Sequence, residues 1–159
     1  MNMATTWWLM GTGMHARKVA QALLAQGQTI AGFIDEAPRA VSPLPGLPVV
    51  SLQALPAAND GGSAFVAIGN EAARRRLMNT LQQRGWRLPA VVHPRAWVAP
   101  DAVLEEGVFV GAGAVVDAAC RIGRGAIVDI GVLLDHECRV APFVHLRAPG
   151  ALGPRHASD

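Results

Sequence analysis

The sequence predicts an α/β protein in two parts: an N-terminal domain with a mostly parallel sheet, and a C-terminal parallel β-helix of about three coils. Over residues 1–92, apolar runs typical of strands alternate with helical patterns, as in α/β units. From Val98 onward an aliphatic residue recurs every six positions. Neither the helical nor the strand period explains that spacing, which is typical of parallel β-helices. We therefore expect domains over residues 1–92 and 93–159.

The first predicted elements are a strand, a glycine turn and a helix. Apolar residues 7–10 form the first strand, and Gly11-x-Gly13 forms the turn after it. Apolar residues at helical spacing then predict a helix that Gly27 ends. Residues 29–35 read as the second strand, which ends in an acid.

The remainder of the first domain repeats this alternation. Its prolines make 37–47 a loop, and residues 49–50 form a short strand after it. The apolar run 64–68 is the next strand, and Asn70 is the predicted N-cap of a helix that ends at Gly85.

The second domain is predicted from its hexapeptide period. The aliphatic positions are Val98, Leu104, Val110, Val116, Ile122, Val128, Leu134, Val140, Leu146 and Leu152. Three flat faces make one coil, so we expect coils at 98–115, 116–133 and 134–151. Cys120 and Cys138 then stack in one interior column, where we expect two buried thiols rather than a disulfide.

Composition and charge limit the functions open to the chain. Of the 159 residues 51% are hydrophobic and 16% charged, which supports a packed core and excludes global disorder. The formal net charge is only +2 and the basic residues are scattered, so we expect no nucleic-acid partner. We also expect a cytoplasmic protein with no membrane partner, because no long apolar run or signal-peptide pattern occurs. The cysteines lack zinc-type spacing, so no metal is expected.

Three predicted strand ends carry candidate binding residues. Gly11-x-Gly13 fits the fingerprint in which glycines let the backbone approach a phosphate at a helix N-terminus. Asp35 ends the next strand, near where an acid would meet a ribose, and Gly69-Asn70 ends a third strand. These ends predict a site for a phosphorylated ligand. The alternative is that the glycines only make a tight turn and Asp35 caps a loop.

Candidate acid–base residues lie in the third coil. Asp135-His136-Glu137 places an imidazole between two carboxylates, and a carboxylate can orient a histidine that acts as a general base. Glu137 reaches the ring only if the backbone bends at a coil corner, because successive strand residues point to opposite faces. An exposed corner histidine without a catalytic role is the alternative. His15 lies in the glycine turn, where it could contact a ligand.

The motifs taken together resemble the sugar acyltransferases of the NeuD/PglD type. The resemblance covers almost the whole chain and rests on Gly-x-Gly-x-His-Ala, Gly32-Phe33-Ile34-Asp35, Val66-Ala67-Ile68-Gly69-Asn70, Val92-His93-Pro94 and His136-Glu137-Cys138 within the hexapeptides. It implies a homotrimer in which a small Rossmann-like domain holds a nucleotide-sugar and a left-handed β-helix binds acetyl-CoA between subunits. The implied reaction acetylates an amino group of a UDP-4-amino-sugar, or a hydroxyl of a sialic acid, for surface glycan synthesis.

The resemblance also assigns residue roles by position. It makes His136 the general base and Glu137 its orienting partner, and it places His145 near the thioester end of acetyl-CoA. It requires no metal. The positions it places around the nucleotide-sugar are Gly11, Gly13, His15, Asp35, Gly69 and Asn70.

Two features depart from the family pattern. Asp129-Ile130 stands where related sequences usually have Asn-Thr, and the sequence stops at Asp159, where family members continue for several more coils. We therefore expect a C-terminally truncated member. This keeps open a catalytically silent nucleotide-sugar-binding protein that lacks the acetyl-CoA coils. A nicotinamide-binding regulator or oxidoreductase is a third reading, which the short first domain disfavours.

Overall fold

The computed structural model describes residues 6–37, 41–58 and 62–159. The chain divides into two compact units, of which the first ends at Pro89 and the second is Ala90–Asp159. The second unit thus begins before residue 93, because Val91–Val92 pairs with strand Phe109–Val110 of the β-helix. Positions 38–40 of the expected proline-rich loop lie outside the described residues.

A four-stranded parallel sheet forms the centre of the described part of the first unit. Its strands are β1 (Thr6–Met10), β2 (Thr29–Asp35), β3 (Val49–Ser51) and β4 (Ser63–Val66). The order is β3-β2-β1-β4, so the chain moves from one side of β1 to the other between β3 and β4. Leu9 and Phe33 are completely buried, as expected for strands covered on both faces.

The first helix is α1 (Met14–Ala25), and Gly13 is its N-cap. Leu23 is buried, whereas Leu24 is 49% exposed, so the apolar stripe is narrower than the sequence pattern implies. Gly27 follows the helix with φ +74°, the left-handed conformation in which glycine ends helices.

The second helix is α2 (Glu71–Gln83). The Asn70 side chain accepts a hydrogen bond from the Ala73 N–H at 2.9 Å, so the predicted N-cap is confirmed. Gly85 follows with φ +82°. Neither α1 nor α2, the two helices of the described residues, has the length and apolarity needed to cross a membrane.

The second unit is a parallel β-helix built from two-residue strands. These are β5 (Val91–Val92), β6 (Trp97–Val98), β7 (Val103–Leu104), β8 (Phe109–Val110), β9 (Val115–Val116), β10 (Arg121–Ile122), β11 (Ile127–Val128), β12 (Leu133–Leu134), β13 (Arg139–Val140), β14 (His145–Leu146), β15 (Ala151–Leu152) and β16 (Ala157–Ser158). Over residues 90–159, all of them described, they form three sheets of four parallel strands. We call these the β5 face (β5, β8, β11, β14), the β6 face (β6, β9, β12, β15) and the β7 face (β7, β10, β13, β16).

The hexapeptide positions fill the interior of this β-helix. Central members of the column are at most 4% exposed: Val110, Val116, Ile122, Val128, Leu134 and Val140. The repeat starts one hexapeptide before Val98, at Val92, which gives the β5 face its fourth strand.

Both cysteines are buried free thiols, as the period predicts. The Sγ atoms of Cys120 and Cys138 lie 3.1 Å from the carbonyl oxygens of Asp135 and Gly153, respectively, and donate to them. Burial raises the pKa of the Cys120 thiol, which therefore stays protonated. The two thiols act as small core residues.

Candidate functional site

The turn between β12 and β13 brings a histidine and a glutamate together. Glu137 has φ +59°, a left-handed conformation that is uncommon outside glycine and that bends the backbone at this corner. His136 Nδ1 and Glu137 Oε2 are 2.9 Å apart, with side chains 43% and 47% exposed. The bend that the sequence analysis required is therefore present.

The contact orients the imidazole and bears on which of its nitrogens carries the proton. A carboxylate at Nδ1 favours the tautomer that carries its proton there, which leaves the Nε2 lone pair available to accept a proton. Asp135, the other flanking acid, instead accepts a hydrogen bond from the backbone N–H of His136 at 2.7 Å. The ring therefore pairs with Glu137, whereas Asp135 contributes to the turn.

Arg155 completes this cluster and was missed in the sequence analysis. Its Nε donates to Glu137 Oε2 at 3.1 Å, and its backbone N–H donates to the His136 carbonyl at 3.0 Å. The hydrogen bond from His136, and after it the one from Arg155, lowers the pKa of the Glu137 carboxyl. The spacing held a signal, because Arg155 stands one coil length after Glu137.

A second histidine–carboxylate pair lies on the β5 face. His145 Nε2 and Asp129 Oδ2 are 3.3 Å apart, and their side chains are 15% and 12% exposed. Asp129 Oδ1 also accepts the Ile130 N–H at 2.8 Å. The aspartate that departs from the family pattern is therefore the partner of the histidine assigned to the coenzyme.

In the first unit, the glycine turn after β1 requires glycine at one of its two positions. Gly11 has φ +118°, and a Cβ there would lie 2.8 Å from the Ala67 carbonyl oxygen, a contact that no side chain tolerates. Its N–H donates to the Ile34 carbonyl at 2.8 Å. At Gly13 a Cβ would meet nothing within 4 Å, so the structure leaves open space beside the first turn of α1.

Asp35 joins this turn to the end of β2. Its Oδ2 accepts a hydrogen bond from Thr12 Oγ1 at 2.5 Å, and its Oδ1 accepts one from the Ala37 N–H at 2.7 Å. The carboxylate therefore caps the loop after β2, as the alternative interpretation expected. A role in ligand binding stays a prediction.

Arg74 supports the loop after β4. This buried guanidinium, 1% exposed, donates from Nη1 to the carbonyls of Ile68 and Gly69, each at 2.9 Å. Burial lowers its pKa. The two carbonyls are fixed directly before Asn70, the N-cap of α2.

The three consecutive arginines at positions 74–76 are divided among three environments. Arg74 points inward, Arg75 pairs with Glu71 at 3.0 Å, and Arg76 pairs with Glu36 at 2.8 Å. The triplet is therefore not a basic patch.

The candidate nucleotide-binding residues lie at one edge of the sheet. Gly11, Asp35 and Gly69 follow or end β1, β2 and β4, whose parallel alignment places their carboxyl ends together. His15 lies in the first turn of α1, directly after the glycine turn. The order β3-β2-β1-β4 puts the switch in strand order between β1 and β4, the place where open α/β sheets bind ligands. Among residues 6–37, 41–58 and 62–159, no cluster of side chains suits a metal ion.

Known proteins match both units. Residues 8–81 match the family model described as the PglD N-terminal domain. A crystal structure of a histidine-to-asparagine variant of perosamine N-acetyltransferase from Caulobacter crescentus, in complex with CoA and GDP-perosamine, is 34% identical with a TM-score of 0.89. The match covers 99% of this chain and 74% of that one.

Two further structures are similar. The acetyltransferase domain of PglB from Neisseria gonorrhoeae, in complex with acetyl coenzyme A, is 27% identical over 98% of this chain and 79% of that one, with a TM-score of 0.60. WeeI from Acinetobacter baumannii shares the fold, at 21% identity over 89% and 69% of the two chains and a TM-score of 0.77. With a third of its residues identical to those of the perosamine enzyme over nearly its whole length, the chain belongs to the NeuD/PglD-type family of sugar acyltransferases, which join a Rossmann-like domain to a left-handed parallel β-helix.

Proposed function

We propose that the protein transfers an acetyl group from acetyl-CoA to the amino group of a nucleotide-activated sugar. The observation that carries the proposal is the exposed His136–Glu137 pair, whose ring and carboxylate lie 2.9 Å apart. The perosamine enzyme, 34% identical, supports the choice of cosubstrates, because its crystal structure contains CoA and GDP-perosamine. A hydroxyl of a nucleotide-sugar or of a sialic acid is the other acceptor that the family resemblance offers.

In the proposed reaction His136 is the general base. Nε2 takes a proton from the amine as its nitrogen attacks the thioester carbonyl, and Glu137 stabilises the imidazolium through Nδ1. The new C–N bond gives a tetrahedral oxyanion, for which a backbone N–H is the expected donor. The C–S bond then breaks, and the imidazolium returns the proton to the leaving thiolate. The lowered pKa of Glu137 keeps its carboxylate ionised for this role.

The remaining candidate residues are proposed to bind the cosubstrates. His145, held by Asp129 at 3.3 Å, would contact the thioester end of acetyl-CoA. The nucleotide-sugar would bind at the sheet edge of the first unit. Its proposed contacts are Gly11, Gly13, His15, Asp35, Gly69 and Asn70.

The proposal includes a homotrimer, and an apolar column on the β6 face supports it. Trp97 and Leu133 are 57% and 49% exposed. Val115 lies between them in the sheet and is the register partner of each. Ala151 continues the column on the other side of Leu133. Exposed apolar side chains in adjacent register are typical of contact surfaces, and a second copy of the chain is the occupant we propose. We also propose a cytoplasmic location, where acetyl-CoA and nucleotide-sugars are supplied.

Replacement of the proposed base tests the mechanism. We expect His136→Ala to lower acetyl transfer about a thousandfold, because general-base catalysis contributes roughly 10²–10⁴ in rate. Nucleotide-sugar affinity, measured by calorimetry, should be unchanged. His156→Ala, which removes another exposed histidine of the same unit, should retain full turnover. Full turnover by the His136 variant would remove the mechanism.

A further inference from the structure

Two arginines lie side by side on the β7 face. Arg121 of β10 and Arg139 of β13 are register partners, and both are exposed while Ile122 and Val140 fill the interior. Neighbouring strands are about 4.8 Å apart, so the two side chains leave the sheet close to each other. Their next register partners are Val103 and Ala157, so this column brings no carboxylate to them.

Neither positive charge has a directly bound partner within the described part of the chain. Neither guanidinium there has an ion pair or a hydrogen bond. Like charges directly opposite each other on adjacent strands destabilise a sheet. An anion that binds both groups would relieve this repulsion.

The arginines also line a groove of about 450 Å³. Arg155, Asp101 and Glu137 contribute its other charged groups, so three cations face two carboxylates. The Glu137 carboxylate is already bound by His136 and Arg155. The groove therefore carries a surplus of positive charge next to the proposed base.

We propose that Arg121 and Arg139 form a binding site for the phosphate groups of a phosphorylated ligand. Guanidinium groups bind phosphate oxygens through pairs of parallel hydrogen bonds, and two of them one coil apart suit a diphosphate. Both proposed cosubstrates carry a diphosphate. The identification of one of them as the natural ligand rests on the proposed function. The site itself is a property of the β7 face.

Calorimetric titration of the full chain with inorganic pyrophosphate at low salt tests the site. We expect binding to the unaltered protein, and at least about tenfold weaker binding to the Arg121→Gln/Arg139→Gln double variant, because each arginine supplies charge-assisted hydrogen bonds. Arg147→Gln, at an exposed arginine elsewhere in the unit, is the matched control and should bind normally. Thermal unfolding checks that the variants are folded. Equal binding by the double variant, or none by the unaltered protein, overturns the site.

Titrations with CoA and with GDP identify the source of the phosphate. A loss of affinity for CoA alone in the double variant assigns the site to the coenzyme, and a loss for GDP alone assigns it to the nucleotide-sugar. Unchanged affinity for both overturns a role in cosubstrate binding. The titrations need no turnover, so the result stands apart from success or failure of acetyl transfer.

Discussion

Glu137 accepts hydrogen bonds from His136 and Arg155 through one oxygen atom. The sequence predicts the first contact, since the two residues are adjacent and a corner bend lets them meet. The second contact crosses between coils, so it depends on the register of stacked strands. Contacts between residues that are distant along the chain are therefore the hardest to predict from the sequence.

Arg74 illustrates the same difficulty in the first unit. In the sequence it is one of three consecutive arginines, and neither period nor composition separates it from Arg75. Its position on α2 turns it inward, where its guanidinium replaces water as the donor to two loop carbonyls. Burial of a charge is tolerated because those carbonyls are satisfied.

Arg74→Met should therefore lower the free energy of unfolding by about 2–3 kcal/mol, because hydrogen bonds from a charged group are lost and two carbonyls lose their donor. Arg75→Met, on the exposed side of α2, should cost less than about 0.5 kcal/mol, the usual value of an i,i+4 ion pair. Urea unfolding of both variants measures the difference. Similar losses at the two positions would contradict the role assigned to Arg74.

At the scale of elements, the β-helix follows from the sequence more directly than the α/β unit does. Its interior column needs one aliphatic residue per strand, and a fixed period exposes that requirement in the sequence. The short strand at Val91–Val92 was not predicted, because it precedes the residues at which the hexapeptide period is obvious. Its pairing with β8 assigns it to the second unit.

Close stacking of the coils gives a test at this scale. A Cβ at Gly123 would lie 2.6 Å from the backbone nitrogen of Pro142 in the next coil, so the coils would have to separate. We expect Gly123→Ala to destabilise the protein by about 1–3 kcal/mol, the range for overpacking. Gly153→Ala is the control, because a Cβ there meets nothing within 4 Å. Thermal unfolding followed by circular dichroism compares them, and an unchanged midpoint for Gly123→Ala would refute the close packing.

At the scale of the whole molecule, the exposed β6 face bears on assembly. Leu133 is 49% exposed in the centre of the apolar column. If the column contacts other copies, light scattering on the eluting protein should give a trimer mass, and Leu133→Glu should shift it to a monomer mass by burying an unpaired charge. Val103→Glu, which alters an exposed valine on the β7 face, should keep the trimer. A monomeric unaltered protein would contradict the assembly.

The overall plan of the molecule could be predicted because each unit has a characteristic pattern of neighbouring residues. The strand–glycine–helix pattern predicts the sheet and its turn at Gly11, and the hexapeptide period predicts the β-helix. The sequence offered the Asp35 loop cap as one of two interpretations, because Ala37 is only two residues away, but it did not show that Thr12 also contacts this carboxylate or that Asp129 contacts His145. The last two contacts join residues that are distant along the chain, so they depend on how the turns pack.

Acetyl transfer by the protein can be assayed with purified cosubstrates. The full chain is incubated with acetyl-CoA and GDP-perosamine, in parallel with a UDP-linked 4-amino-sugar, while free CoA thiol and the mass of the sugar product are measured. We expect equal amounts of CoA and N-acetylated nucleotide-sugar with at least one acceptor. Calorimetric binding of a nucleotide-sugar without any CoA release would contradict it, and would identify a nucleotide-sugar-binding protein that has no transferase activity.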